Sequence, residues 1–304
     1  MKNVKKLLIF AAISTFVFAS GTRTDALGGS GFWADDYSNI SAFPAAVNDH
    51  NVAYTTGDNF TTIFDHNGTT WGFAGGRDDN EVVNMYWGNG TMGASFGLAM
   101  EAEVTCEEGD ADCMAADAVT SYDIGFGMPL AGGDFGFTYD DSGTIGINMR
   151  RAQSVWLWEN MLINVGMTPE DTDTDTESST AFSVDCYTNR SYDGGTNGLF
   201  ALGFHYSAMG EDDAVMDLVW TFAVESAMTD WGTLRVGYST AHDFGGGPNE
   251  GGDLSVGLGF NYGSFSLDMD ISNSYNSLLN DPVKWAAGRN DTALSTSWTI
   301  SYNW

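Results

Sequence analysis

Residues 294–304 read LSTSWTISYNW, and their alternation decides the fold class. Counting back from Trp304 in twos gives Tyr302, Ile300, Trp298, Thr296 and Leu294. Asn303, Ser301, Thr299, Ser297 and Ser295 fall between them. Successive side chains of a strand point to opposite faces, so this stretch is a strand with one apolar and one polar face. Chain ends ordinarily fray, so a strand so well patterned at its last residue implies a partner strand.

The same period recurs upstream. Met92, Ala94, Phe96, Leu98, Met100, Ala102 and Val104 share one face of a run whose other face carries Thr91, Gly93, Ser95, Gly97, Glu101 and Glu103 together with Ala99. Tyr122, Ile124, Phe126, Met128 and Leu130 alternate with Asp123, Gly125 and Gly127, and Phe200, Leu202, Phe204 and Tyr206 alternate with Ala201, Gly203 and His205. Further runs begin at Met216, Leu234, Leu254 and Phe265. Each approaches the ~9 to 11 residues with which a tilted strand crosses a bilayer.

A soluble sandwich and a membrane barrel both use such strands, and connection lengths separate them. Asn89-Gly90, Ala131-Gly132-Gly133, 191–195, 228–232 and Gly263-Ser264 are short, whereas 105–117, 168–180, 207–213, 241–252 and 274–291 are longer and mostly polar. From residue 190 onward the two kinds alternate strictly, as a barrel with short turns at one rim and loops at the other requires. About sixteen segments qualify, those near 51–64 and 143–151 least clearly, and merging a doubtful pair leaves fourteen. The sequence therefore predicts an all-β, antiparallel transmembrane β-barrel of about 14 strands (12–16 allowed) over 51–304. Aromatic residues near run ends, such as Tyr86, Trp87, Trp156 and Trp158, fit interfacial girdles.

The chain begins with Lys2, Lys5 and Lys6, an apolar run from Leu7 to Phe18, and Val17-Phe18-Ala19 at a cleavage-site spacing. This reads as a signal peptide over 1–19, cut after Ala19 or at Gly21, the apolar run being too short to span a membrane. Removing those three lysines from the eleven Lys and Arg leaves eight against 41 Asp and Glu, a formal charge of −33 in place of −30. Such a surface repels nucleic acid and suits cations or a saline habitat. Thirty-eight glycines, five prolines and 13% aromatic residues agree with strands joined by tight turns.

Trp304, Tyr302, Ile300 and Trp298 resemble the C-terminal assembly signal of bacterial outer-membrane barrels. The resemblance implies recognition by the barrel-assembly machinery, delivery by periplasmic chaperones, outer-membrane lipid around the wall and a Gram-negative-type outer membrane as the location. Residues 22–47, TRTDALGGSGFWADDYSNISAFPAAV, resemble the opening of FadL-like and PorV-like outer-membrane proteins at Arg23, Gly28, Gly29, Asp35, Asp36, Pro44 and Ala45. Where that family usually reads Trp-Asn-Pro-Ala, this chain has Ala42-Phe43-Pro44-Ala45. The resemblance implies that the segment 20–50 tucks into the periplasmic mouth as a plug. Read physically, Gly28 and Gly29 permit a tight turn, Asp35 caps a short helical turn and Pro44 ends it; an ordinary loop before the first strand would look much the same.

Cys106 and Cys113 flank six residues in a long loop of an exported chain, which favours a disulfide and leaves Cys186 unpaired. Glu107, Glu108, Asp110 and Asp112 lack the spacing of a calcium loop, and residues 168–180 lack the glycines of calcium-binding repeats. Asn67-Gly68 and Asn89-Gly90 read as turn formers. No serine or acidic residue is placed by sequence to join His50, His66, His205 or His242 in a catalytic set, so neither an enzyme nor a cofactor or metal is expected.

Functional content then falls to the inner face, where Glu101, Glu103, Asp123, Asp217, Arg235, Asp268 and Asp270 are expected among small residues. Such a wall points to passive diffusion of small solutes with a cation preference. Alternatives are FadL-like uptake of hydrophobic compounds, or a non-conducting surface scaffold or secretion partner.

Overall fold

The computed structural model describes residues 21–29, 31–57, 59–76, 81–101, 118–170, 177–210, 214–244, 252–271 and 297–304. Sixteen strands close into one antiparallel barrel, each paired with its neighbours in sequence and the first with the last. They are β1 Val52–Thr56, β2 Asn59–His66, β3 Thr69–Gly76, β4 Glu81–Gly88, β5 Gly93–Glu101, β6 Val119–Leu130, β7 Gly133–Asp140 and β8 Ile145–Val155, followed by β9 Trp158–Thr168, β10 Ser179–Tyr192, β11 Thr196–Met209, β12 Val215–Thr229, β13 Gly232–Asp243, β14 Asp253–Tyr262, β15 Phe265–Asp270 and β16 Ser297–Asn303. Closure pairs Val52 with Asn303 and Thr56 with Thr299. No free sheet edge remains, which removes the usual site of unwanted strand pairing.

The count of sixteen corrects the expected fourteen: both doubtful regions are genuine strands. The reason is physical. In β1 the apolar residues Val52 and Tyr54 point inward and are 1% and 5% exposed, while Ala53 and Thr55 point outward. The alternation is thus inverted, because the inner face here packs against protein. In β8, Arg150 and Arg151 sit side by side and interrupt any simple alternation.

Elsewhere the expected faces hold, except that Tyr86, expected in an aromatic girdle, points into the barrel and is 5% exposed. Phe96, Tyr122, Ile124, Phe126, Phe204, Phe222, Trp298, Ile300 and Tyr302 lie exposed on the outer wall, whereas Thr299 and Ser301 of β16 are buried inward. Of the opening stretch, residues 297–304 are described. Trp304 N–H donates to the Asn51 carbonyl at 3.4 Å, tying the end of the chain to the start of the barrel.

One rim carries only tight connections: 67–68, 89–92, 131–132, 156–157, 193–195, 230–231 and 263–264. Asn67-Gly68 and Ala131-Gly132 both have positive φ at their two central residues, the twist that two-residue hairpins need. The opposite rim carries connections from two residues (57–58) to 26 (271–296), so the loop rim is less uniform than the strict alternation suggests. No helix among the described residues is long and apolar enough to cross a membrane, which leaves a β-barrel crossing untouched.

Deleting Trp304 removes the last outward aromatic and its bond to Asn51 while leaving the interior intact. The expected result is a severalfold lower yield of heat-modifiable barrel on detergent gels, with the barrels that do assemble unchanged in their interior; a normal yield would show that the terminal indole is dispensable.

Candidate functional site: the N-terminal segment inside the barrel

The segment 21–50 has little regular structure, and its turns are set by a few residues. A single helical turn, α1, covers Gly21–Asp25. Gly28 (φ 80°) and Gly29 (φ 126°) then adopt left-handed conformations that side chains resist, which reverses the chain. A Cβ at Gly28 would meet the Thr221 methyl on β12 at 2.8 Å, so this reversal also lies tight against the wall. Two 3-10 turns follow, Tyr37–Ile40 and Pro44–Asp49. Asp36, and not Asp35, caps the first by accepting from Ser38 N–H at 2.9 Å. Pro44 opens the second turn at its first position, where its missing N–H costs nothing, so the expectation that it ends a turn is corrected.

This segment lies across the barrel interior. Leu27, Phe32, Trp33, Ile40, Phe43, Ala46 and Val47 form one buried apolar cluster with inward residues of the wall, including Val52, Tyr54, Ile63, Tyr86, Leu162, Tyr187 and Leu199. Tyr37 stacks on Tyr54 at 4.4 Å and Phe32 meets Tyr187 edge-on at 5.2 Å. Wall side chains also hold the segment's backbone: Asn148 Nδ2 donates to the Ala42 carbonyl, Asn189 Nδ2 to the Phe32 carbonyl and Arg150 Nη1 to the Gly31 carbonyl, at 3.2, 2.8 and 3.0 Å. On the far side, Thr22 Oγ1 is 2.9 Å from Thr299 Oγ1.

The wall makes room with glycine. Gly88, Gly93, Gly127 and Gly136 are direct cross-strand partners in that order, a row of four running across β4, β5, β6 and β7. A Cβ at Gly93 would strike the Pro44 carbonyl oxygen, one at Gly127 would sit 2.5 Å from the Ala45 nitrogen, and one at Gly136 would strike the Ala42 carbonyl oxygen. Backbone therefore lies on backbone along this track. Opposite it, Gly237 receives the backbone of residues 26–28 in the same way, and Gly257 receives the Ala26 methyl.

Charge fixes the position. Arg23 Nε and Nη2 donate to the two oxygens of Glu225 at 3.1 and 2.9 Å, and Nη1 donates to Asp36 at 3.1 Å. Arg235, the cross-strand partner of Glu225, donates to the same carboxylate at 2.8 Å and to Asp268 at 2.6 Å. It reaches β15 by lying over Gly259 of β14, where any side chain would block it. Burial opposes the charge of Arg23, but the hydrogen bond and field of Glu225, with Asp35 and Asp36 behind, outweigh it and hold its pKa above the ordinary value. A second anchor is Arg150, which pairs with Asp134 at 2.8 Å and lies 4.8 Å over the Phe43 ring.

Asp25 stands apart from these pairs. Its side chain reaches water, yet it sits within the barrel mouth, and that enclosure, followed by the fields of Asp270 and Asp36, pushes its pKa up to about 6. Because the folded value exceeds the ordinary 3.8, the ionised carboxylate is a penalty that grows as pH rises from about 4 to about 6 and stays above that.

No family model and no curated protein matches this chain. Among solved structures it is similar to one described as "Asymmetric conductivity of engineered proteins", at a TM-score of 0.39 and 11% identity over 81% of this chain and 89% of that one.

The residues expected on the inner face divide into two groups. Arg235 and Asp268 belong to the buried network beneath the segment. Glu101, Asp123, Asp217 and Asp270 lie toward the loop rim, the last three joined there by Asp140, Asp243 and Asp253 near the same strand ends. No described arginine lies near that rim, and Arg23, Arg150 and Arg235 are all engaged by the segment and its anchors. Glu103, Cys106 and Cys113 lie outside the described residues; Cys186 is a free thiol on an outward-facing position of β10.

Two features escaped the sequence. Glu225 carries the key ion pair, yet nothing local marks it. His205 does have an acidic partner, contrary to expectation: its Nε2 lies 2.8 Å from Asp185 Oδ1. The hairpin register, which sets Asp185 opposite Gly203, was the available signal. Both side chains are largely buried within the wall.

Truncating Glu225 to alanine leaves two buried guanidinium groups short of a partner, a loss of about 3 to 5 kcal/mol in comparable cases. Gly136→Leu instead fills the track. Either change is expected to expose residues 22–47 to limited proteolysis and to shift Trp33 fluorescence toward water while the barrel stays heat-modifiable; unchanged protection in both would refute the seating described above.

Proposed function

We propose that this protein is an outer-membrane channel for passive diffusion of small solutes, cation-preferring, and shut at rest by its own N-terminal segment acting as a plug. The observation that carries the reading is the disc of packed chain across the interior. Residues 21–50 meet β3 to β7 through the second 3-10 turn, β8 to β10 through Arg150, Leu162 and Asn189, β12 and β13 through Gly28 and Leu27, and β14 to β16 through α1. A sixteen-stranded barrel without such filling encloses an aqueous channel.

The cation preference rests on the inner face above the disc. Acidic residues there are set among Ser121, Thr138 and Ser239, and low-dielectric walls focus such a field on entering ions. FadL-like uptake of hydrophobic compounds would want an apolar pocket at this level, and these residues do not supply one. The scaffold or secretion-partner reading has one specific support, the packing of the segment against strands on every side of the lumen. No catalytic role is assigned.

Planar bilayers separate the two. Intact protein should give little steady current, and protein lacking residues 22–47 should give steady, cation-selective conductance. A full-length Arg23→Ala, Gly136→Leu double variant guards against a deletion that fails to fold. Correctly folded, heat-modifiable variants that remain silent would favour the scaffold, whereas an intact protein conducting as well as the deletion would end the plug reading and keep the channel.

A further inference from the structure

We propose that the outer wall carries a binding site for one anionic phospholipid headgroup, made by Arg151 and Arg190 near the turn rim. The proposal rests on the membrane-barrel reading above and goes beyond it, since that reading treats the outer wall as apolar surface alone.

Strand parity places the site. On β8, Asn148 and Arg150 reach the N-terminal segment, so Arg151 points outward with Ile147 and Met149. On β10, Tyr187 and Asn189 reach that segment, so Thr188 and Arg190 point outward. Glu159, on β9 between them, is bonded by both: Arg190 Nη2 lies 2.8 Å from its Oε1, and Thr188 Oγ1 donates to its Oε2 at 3.2 Å. Among the described strand side chains, Arg151, Glu159 and Arg190 are the charged groups on the outer wall.

These three charges do not cancel. Glu159 is taken by Arg190, whereas the Arg151 side chain makes no ion pair or hydrogen bond among the described residues, and its Nε is shut away from solvent without an acceptor. Two positive groups and one negative leave a local charge of +1, in a chain whose formal charge is −30.

The surroundings match a headgroup. Beside the site, Val155, Trp156 and Leu157 are exposed around the 156–157 turn, as is Tyr192 at the end of β10. Trp158 lies 5.7 Å from Trp156 and 5.9 Å from the outward Phe200. Such rings sit at the level where headgroups meet acyl chains. Toward the middle of the wall the same face continues with Met149, Met161, Ile163 and Val184, an apolar bed for an acyl chain.

A guanidinium facing lipid without a counter-ion is costly. A phosphate diester supplies what Arg151 lacks, one negative charge on oxygens that the guanidinium fork matches. A headgroup of the phosphatidylglycerol class, with a phosphate and no cation of its own, therefore neutralises the patch; the ammonium of an ethanolamine or choline headgroup would restore the imbalance. A second copy of this chain fits less well. Among its described strand side chains, its outer wall would offer Arg151 only Glu159, which is already engaged.

Native mass spectrometry tests the site on folded, heat-modifiable protein in detergent, with phosphatidylglycerol or phosphatidylcholine of equal chain length added. The intact protein should retain one phosphatidylglycerol under conditions that strip phosphatidylcholine. Arg151→Gln should lower that retention severalfold, and Glu159→Gln, which releases Arg190, should raise it. Opposite signs from two neighbouring substitutions are not what a merely structural role produces. Equal retention by the intact and Arg151→Gln proteins, or a loss from both substitutions, would overturn the proposal, as would phosphatidylcholine held as firmly as phosphatidylglycerol. A lipid-free dimer that Arg151→Gln dissociates would also overturn it and give the patch to a second copy. Protein that stays folded and dispersed without detergent or lipid would instead sink the membrane reading.

Discussion

Sixteen strands enclose more space than their own side chains can fill, and the interior of this protein is organised around that constraint. Empty volume would be water, and half of the inner wall near the turn rim would then present Ile63, Tyr86, Leu162, Tyr187 and Leu199 to it. The N-terminal segment removes those surfaces from water together with its own Leu27, Phe32, Trp33, Phe43 and Val47. The molecule is consequently inside out only by half: apolar on its outer wall and apolar again at the core of its lower lumen, with a polar cup above.

Hydrophobic burial has no direction, so it does not by itself set where the segment sits. Position comes from contacts that tolerate no slippage. The glycine row leaves room for backbone at Gly93, Gly127 and Gly136 and for the Asn48 side chain at Gly88, and Arg23 finds two oxygens of one carboxylate already shared with Arg235. Buried ion pairs of this kind contribute modestly to net stability because desolvation offsets attraction, but separating the partners is costly. That asymmetry suits a fixed seat. The segment adds no strand to the sheet and is held through side chains, so its release would leave every ladder of the wall intact, which makes a movable plug compatible with a stable barrel.

How much of this was legible depended on whether the information was local. Trp298, Ile300 and Tyr302 announced their strand because one face meets an apolar surrounding and the other a polar interior. β1 did not, since its inner Val52 and Tyr54 pack on the segment and reverse the signal. Arg23, Asp36 and Pro44 were picked out by resemblance. Glu225, the glycines of the track, and Asn148, which holds the Ala42 carbonyl, are scattered over four hairpins and look like ordinary inward-facing positions. Asp35 and Asp36 both fit the local pattern of a cap, and the path of the chain through the barrel gives that role to Asp36.

The sequence by itself determined an antiparallel barrel with apolar residues outside, short turns at one rim and acidic residues inside, because period-two alternation and turn chemistry are properties of neighbouring residues. Only the tertiary structure decided that there are sixteen strands, that the last closes on an inverted first, and that Arg23, Glu225, Arg235 and Asp268 converge beneath a segment lying on a glycine track. Those outcomes depend on register around the closed sheet and on which side chains leave space for which. Neither is written in any one stretch of chain, since a strand carries its own alternation but not the identity of what fills the space it faces.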